Sequence, residues 1–169
     1  MDTVNGSRMV RLTVLALGLV LTLAVSATAV SSEAGPDFTL TTLDGKTITK
    51  ASLQGQPTLL MFWASWCGTC QKELPNVKAL YEQHKAKGLQ AVAIGFQDDE
   101  ASIRGYVQAH QSTFVFPTAY DTQNRVSTLF HARGTPTFVL LDAQGRIVLV
   151  HTGGGVLNNP TFQQFIQTL

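Results

Sequence analysis

Two cysteines, Cys67 and Cys70, occur in the 169-residue chain, three positions apart. A structural disulfide framework uses several widely spaced cysteines to close long loops, so a lone close pair reads as chemistry rather than as a staple. An apolar run at 58–63 precedes the pair and a stretch of helical period follows it. That junction is the start of a helix, where unpaired N–H groups and the helix dipole favour a thiolate, the form of cysteine that attacks. The spacing puts Cys67 at the exposed end and Cys70 one turn inside. Cys67 would then open a partner disulfide as a mixed disulfide, and Cys70 would resolve it. Half of a zinc site is the bland alternative, but structural zinc needs four ligands. His84, His110, His131 and His151 are scattered, with no two of them three to five positions apart. A Cu(I) site of two thiolates remains chemically open, since soft ligands suit that ion. No organic cofactor or resident metal is expected; the redox group is the Cys67–Cys70 disulfide itself.

The elements around the pair set its position. Phe38-Thr39-Leu40 and Thr47-Ile48-Thr49 flank Asp44-Gly45, a hairpin signal. Residues 52–57 read as a loop, and the unbroken apolar run at 58–63 suits a strand buried on both faces. Leu74, Val77, Leu80, Tyr81 and His84 then recur at helical spacing, with Pro75 inside the pattern as a kink and Gly88 as a stop. Residues 89–94 read as the next strand, 100–110 as a helix, 114–116 as a short extended piece and 126–130 as a short helix. Residues 137–141 and 147–150 flank Asp142-Ala143-Gln144-Gly145 as a second hairpin. Asn159-Pro160 caps a last helix. Early strands joined through helices should pair in parallel and the late hairpin antiparallel. The class is α/β: a mixed central sheet sandwiched by helices.

Arg8 and Arg11 precede an apolar run at 12–25 that ends in Ser26-Ala27-Thr28-Ala29. These are the parts of a secretory signal peptide over 1–29, with cleavage before Val30. The run at 12–30 also approaches the roughly 20 residues that span a bilayer, so an N-terminal membrane anchor is the rival. Residues 30–36 read as a linker and 37–169 as one domain. Lys and Arg number 12 against 11 Asp and Glu, for a net charge of +1. No clustered basic face marks a nucleic-acid surface.

Phe62-Trp63-Ala64-Ser65-Trp66-Cys67-Gly68-Thr69-Cys70 resembles the thioredoxin signature. The longer pattern Cys67-x-x-Cys70-x-x-Glu73-x-Pro75 resembles the TlpA/ResA/DsbE group of exported thiol–disulfide oxidoreductases. Gly134-Thr135-Pro136-Thr137-Phe138 resembles the cis-proline segment of that superfamily, and the hairpin at 38–55 its N-terminal extension. The resemblance runs from about Gly35 to the C-terminus. It departs from thioredoxin at Thr69, where thioredoxin has proline, so thioredoxin's potential cannot be carried over.

The resemblance implies a thioredoxin-like three-layer sandwich with an N-terminal β-hairpin extension. It implies a cis Thr135–Pro136 bond, with Thr135 and Pro136 contacting substrate beside the cysteines. Glu73, one turn beyond Cys70, would lie beneath the site, where burial would raise its pKa and let it exchange a proton with Cys70. Apolar Met61 stands where thioredoxin carries a buried acid, consistent with that role for Glu73. Trp66 would cover the sulfurs and shape the docking surface, whereas Trp63 reads as core. His131 and His151 read as surface residues, and Asp98-Asp99-Glu100 as a solvated helix start. The implied function is reduction of disulfides in exported proteins of the periplasm, in cytochrome c maturation or copper-centre assembly, with a membrane thiol-reductant donor. A disulfide-forming oxidase with the same site and a copper-binding chaperone using the pair as ligands are the alternatives. The related peroxidases carry Thr-x-x-Cys where this chain has Trp66-Cys67-x-x-Cys70.

Overall fold

The computed structural model describes residues 33–169. The export segment expected over 1–29 lies outside the described residues, as does the start of the linker. Among the described residues no helix is long and apolar enough to cross a membrane.

The chain opens with an antiparallel pair, β1 (Thr39–Thr41) and β2 (Thr47–Thr49), followed by a helical turn α1 (Lys50–Leu53). That turn replaces the first half of the expected loop. Thr49 caps it by accepting the Ser52 N–H, while Ser52 Oγ accepts the Thr49 N–H. Two local hydrogen bonds thus organise a segment that has no apolar periodicity to advertise it.

The remaining elements are β3 (Thr58–Trp63), α2 (Gly68–His84), β4 (Gln90–Gly95), α3 (Glu100–Ala109), β5 (Thr118–Tyr120), α4 (Arg125–Leu129), β6 (Thr137–Leu141), β7 (Ile147–Thr152) and α5 (Pro160–Ile166). Five strands form one sheet in the order β5-β4-β3-β6-β7. The β3–β4 and β4–β5 pairs are parallel, and the β3–β6 and β6–β7 pairs antiparallel. The extended piece expected at 114–116 is displaced: β5 lies at Thr118–Tyr120. Phe114 and Phe116 instead join an aromatic cluster with Trp63 and Tyr81. Aromatic residues score as strand formers, but here ring packing decides their place.

Every residue of β3 is buried, as its unbroken apolar run requires. Its side chains alternate: Leu59, Met61 and Trp63 enter a core with Leu74 and Val77 of α2, Ile103 of α3 and Phe162 of α5. Leu60 and Phe62 enter the opposite core with Leu40, Ile48 and Val126. Each large apolar side chain so buried contributes roughly 1.5–3 kcal/mol. The sandwich is therefore three-layered, with α2, α3 and α5 on one face of the sheet and α4 and the β1–β2 pair on the other. At the β6–β7 turn Gly145 has φ 73°, a left-handed conformation that a side chain would strain.

Candidate functional site

Four segments distant in sequence meet at one end of the sheet, and the pairing explains why. The parallel strands β3 and β4 finish at that end, releasing residues 64–67 and 96–99. Because β6 runs antiparallel to β3, with Thr137 opposite Phe62, it starts there, just after Thr135 and Pro136. Strand β7 runs antiparallel to β6, with Thr152 opposite Thr137, so it ends there and releases Gly153-Gly154-Gly155.

Cys67 is the N-cap of α2, with extended backbone. Cys70 lies three positions inside, and its N–H donates to Cys67 Sγ at 3.1 Å. The sulfurs form a disulfide (S–S 2.14 Å, Cα–Cα 5.2 Å). Cys67 is 6% exposed and Cys70 0%, so of the two residues only Cys67 presents any surface to a partner. Thiol–disulfide exchange needs access, so this asymmetry assigns the order of events.

The approach to Cys67 is tied down from β4. Ser65 donates to Asp98 Oδ2 with both its N–H and its hydroxyl, each at 2.7 Å. Trp66 leaves most of its ring in solvent, 61% exposed, while its Nε1 donates to the Gln97 carbonyl at 3.1 Å. Gln97 is in turn fixed through its N–H by Asn124 Oδ1 at 2.9 Å. Asp98 is therefore a structural anchor of the cysteine loop and not a solvated member of a helix start. Asp99 and Glu100 play that part: Asp99 caps α3 by accepting the Ser102 N–H, with the Ser102 hydroxyl and N–H holding its carboxyl below the usual range, and Glu100 is exposed in the first turn.

The Thr135–Pro136 peptide is cis. Pro136 is buried and Thr135 half-buried. The Pro136 carbonyl accepts the Gly153 N–H at 2.8 Å. Two residues on, the Gly155 N–H donates to Glu73 Oε1 at 2.7 Å, and Asn76 Nδ2 reaches Glu73 Oε2 at 3.4 Å. Glu73 is half-buried, and its carboxylate is tied to the glycine loop through the Gly155 N–H. A Cβ on Gly154 would stand 2.9 Å from Glu73 Oε1 and 3.1 Å from Thr69 Cγ2. A side chain there would have to push the Glu73 carboxylate aside.

The glycine loop and Asp98 both escaped the sequence reading. Three consecutive glycines straight after a strand were the available signal for the first. For Asp98 there was none, since its partner Ser65 lies 33 positions away. Trp63 is core, wholly buried against Tyr106 and Phe114. His151 is half-buried, with Nε2 3.1 Å from the Gly154 carbonyl, and His131 is exposed.

A mixed five-stranded sheet between helices, with a C-x-x-C disulfide capping a helix beside a cis-proline, defines a thioredoxin-like protein. The chain belongs to the AhpC/TSA family, whose model matches residues 32–150. It is similar to the thiol-disulfide oxidoreductase ResA of Bacillus cereus (strain ZK / E33L), 33% identical over 113 residues that cover 67% of this chain and 64% of the relative. The ResA of Halalkalibacterium halodurans is 31% identical over 124 residues, covering 73% of this chain and 69% of its own. Thus the chain spans about two thirds of the length of these relatives. Among solved structures, a Chlorobium tepidum protein assigned as the thiol:disulfide interchange protein DsbE superposes with a TM-score of 0.73. It is 28% identical, and the match covers 81% of this chain and 95% of that one. StoA of Bacillus subtilis gives 0.62 at 26% identity, covering 79% and 96%.

Proposed function

We propose that the protein is a thiol–disulfide oxidoreductase that reduces disulfides in exported proteins. The observation that carries this reading is the unequal cysteine pair: Cys67, slightly accessible at the cap of α2, and Cys70, wholly inside. In the reduced protein, the Cys67 thiolate attacks a substrate sulfur and expels the second substrate sulfur as a thiolate, which takes up a proton. Cys70 then loses its proton and attacks Cys67 Sγ, releasing the first substrate sulfur. Two electrons pass to the substrate, and Cys67–Cys70 becomes the disulfide.

Glu73, a helical turn from Cys70, is the acceptor for the Cys70 proton, directly or through water. Trp66 and the Thr135–Pro136 edge receive the substrate chain beside Cys67, with the Thr135 backbone pairing to it. The compartment is the periplasm, reached through the N-terminal export segment or occupied while tethered by it. A membrane-embedded thiol donor re-reduces the pair, since an oxidising compartment offers no such reductant. Cytochrome c maturation and copper-centre assembly are the pathways this reading favours.

The test is the reduction potential of the Cys67–Cys70 pair in a defined redox buffer. A value near or below thioredoxin's, about −270 mV, supports the reductase; one near that of the strong oxidant DsbA, about −120 mV, turns the same site into a disulfide-forming oxidase. Cys67→Ser should abolish reduction altogether.

A further inference from the structure

Beside Trp66 lies a groove of about 400 Å³ that the exchange chemistry itself does not use. Its lining includes Gln97, whose carbonyl holds the Trp66 indole, and Arg133, two residues before Thr135. Asn124, Thr128 and His131 line it as well. We propose that this groove is a specificity site for the substrate polypeptide, receiving a carboxylate side chain that lies within a few residues of the reacting cysteine. The inference rests on the protein-disulfide reading and adds to it the kind of sequence such a partner would carry.

Two independent observations point here. The first is electrostatic. Arg133 is exposed and makes no ion pair among the described residues, and no Asp or Glu lines the groove. Its lining offers donors: the Arg133 fork, the His131 ring and the Asn124 amide N–H groups, while the Thr128 hydroxyl is already spent on the Asn124 carbonyl. A guanidinium with five fixed N–H groups matches a carboxylate in a bidentate fashion that a lysine cannot. The second is conformational. Four non-glycine residues among those described have positive φ: Gln97 (52°), Gln123 (59°), Asn124 (54°) and His131 (54°). Three of them line this groove and the fourth is the neighbour of Asn124. Left-handed backbone at side-chain-bearing residues is costly and collects at binding sites, where the surrounding structure holds it in place. No comparable cluster occurs elsewhere in the described residues.

The experiment uses the reduced full-length protein and short peptides whose single cysteine is capped as a mixed disulfide with 2-thiopyridine. Attack by Cys67 on the peptide sulfur expels pyridinethione, which is followed by absorbance. Three peptides differ only in the residues flanking the cysteine, which are Glu, Gln or Lys. The Glu peptide should react faster than the Gln peptide by roughly two- to five-fold, the range of an exposed ion pair, and the Lys peptide slowest. Raising the salt should compress the series. Arg133→Gln should flatten the order and Arg133→Glu invert it. Their rates with uncharged 2,2′-dithiodipyridine should stay at the native value, which shows the cysteines intact. Equal rates for the three peptides, or an order that survives Arg133→Glu, would overturn the groove while leaving the oxidoreductase standing. Failure to react with dithiodipyridine at all would remove the oxidoreductase reading, and the groove's role with it.

Discussion

Cys67 and Cys70 are chemically alike and differ only in where one helical turn leaves them. Glu73 is the residue whose task the geometry splits in two, because its carboxylate both ties the Gly155 N–H and stands one turn from Cys70. Two substitutions separate these tasks. Glu73→Gln keeps an oxygen for the Gly155 N–H but cannot take a proton; Glu73→Ala loses both. The Gln variant should unfold in urea close to the native midpoint while shifting the pH profile of thiol–disulfide exchange. The Ala variant should also lose roughly 1–3 kcal/mol of stability, the worth of a charge-assisted hydrogen bond. Native pH profiles in both would reduce Glu73 to a tether. The disulfide pair and the cis Thr135–Pro136 bond were legible in the sequence because their signals are short motifs of fixed spacing. Asp98 was not, because what defines it is a contact with Ser65 from another strand end, and nothing in the residues beside it reports that.

At the scale of elements the helix that carries the cysteines ends in a buried histidine. His84 is buried in the last turn of α2, 7% exposed, and its Nδ1 finds no partner. Leu157, Phe162 and Ile166 face it from the segment that includes α5, and none of these is charged. Burial pushes the imidazole below its ordinary value of 6.5, and the nearby Lys87 charge adds to the shift. The folded protein therefore prefers neutral His84, and on acidification the unfolded chain binds the proton first. Stability from this group is complete above about pH 6.5 and is lost as the pH falls below that value. Urea midpoints measured from pH 7.5 to 5 should fall more steeply for the native protein than for His84→Leu. Parallel curves would show that His84 does not titrate against folding. Here too the legible and the hidden divide on physical grounds. His84 sat on the inward face of a helical period and is inward, and the buried strands followed from apolar runs. The turn α1 is built from two side-chain caps, and β5 is a three-residue edge strand. Neither has a period long enough to read.

The whole molecule enters through thermodynamic linkage between folding and the disulfide. Cys67 and Cys70 are three apart, so their bond closes a very short loop and takes little entropy from the unfolded chain. Any stability difference between the oxidised and reduced proteins must then come mostly from the folded state. There the cap of α2, the Asp98 anchor and the Gly153–Gly155 bracket hold the backbone around the pair. The cycle fixes the sign. If folding favours the disulfide, the pair in the folded protein resists reduction and its potential falls, as a reductase requires. If folding favours the dithiol, the potential rises, as in DsbA, whose reduced form is the stabilised one. For this two-electron couple about 30 mV corresponds to 1.4 kcal/mol, so the roughly 150 mV between thioredoxin and DsbA is about 7 kcal/mol. The two cases lie several kcal/mol apart, enough for urea unfolding to tell them apart by sign. The oxidised protein should therefore unfold at a higher urea concentration than the protein held reduced under excess dithiol, at the same pH. Because the three loops that grip the cysteines come from three different strand ends, this difference should shrink when Asp98→Ala or Glu73→Ala loosens one of them. A reduced form that outlasts the oxidised one would assign the same scaffold to disulfide formation.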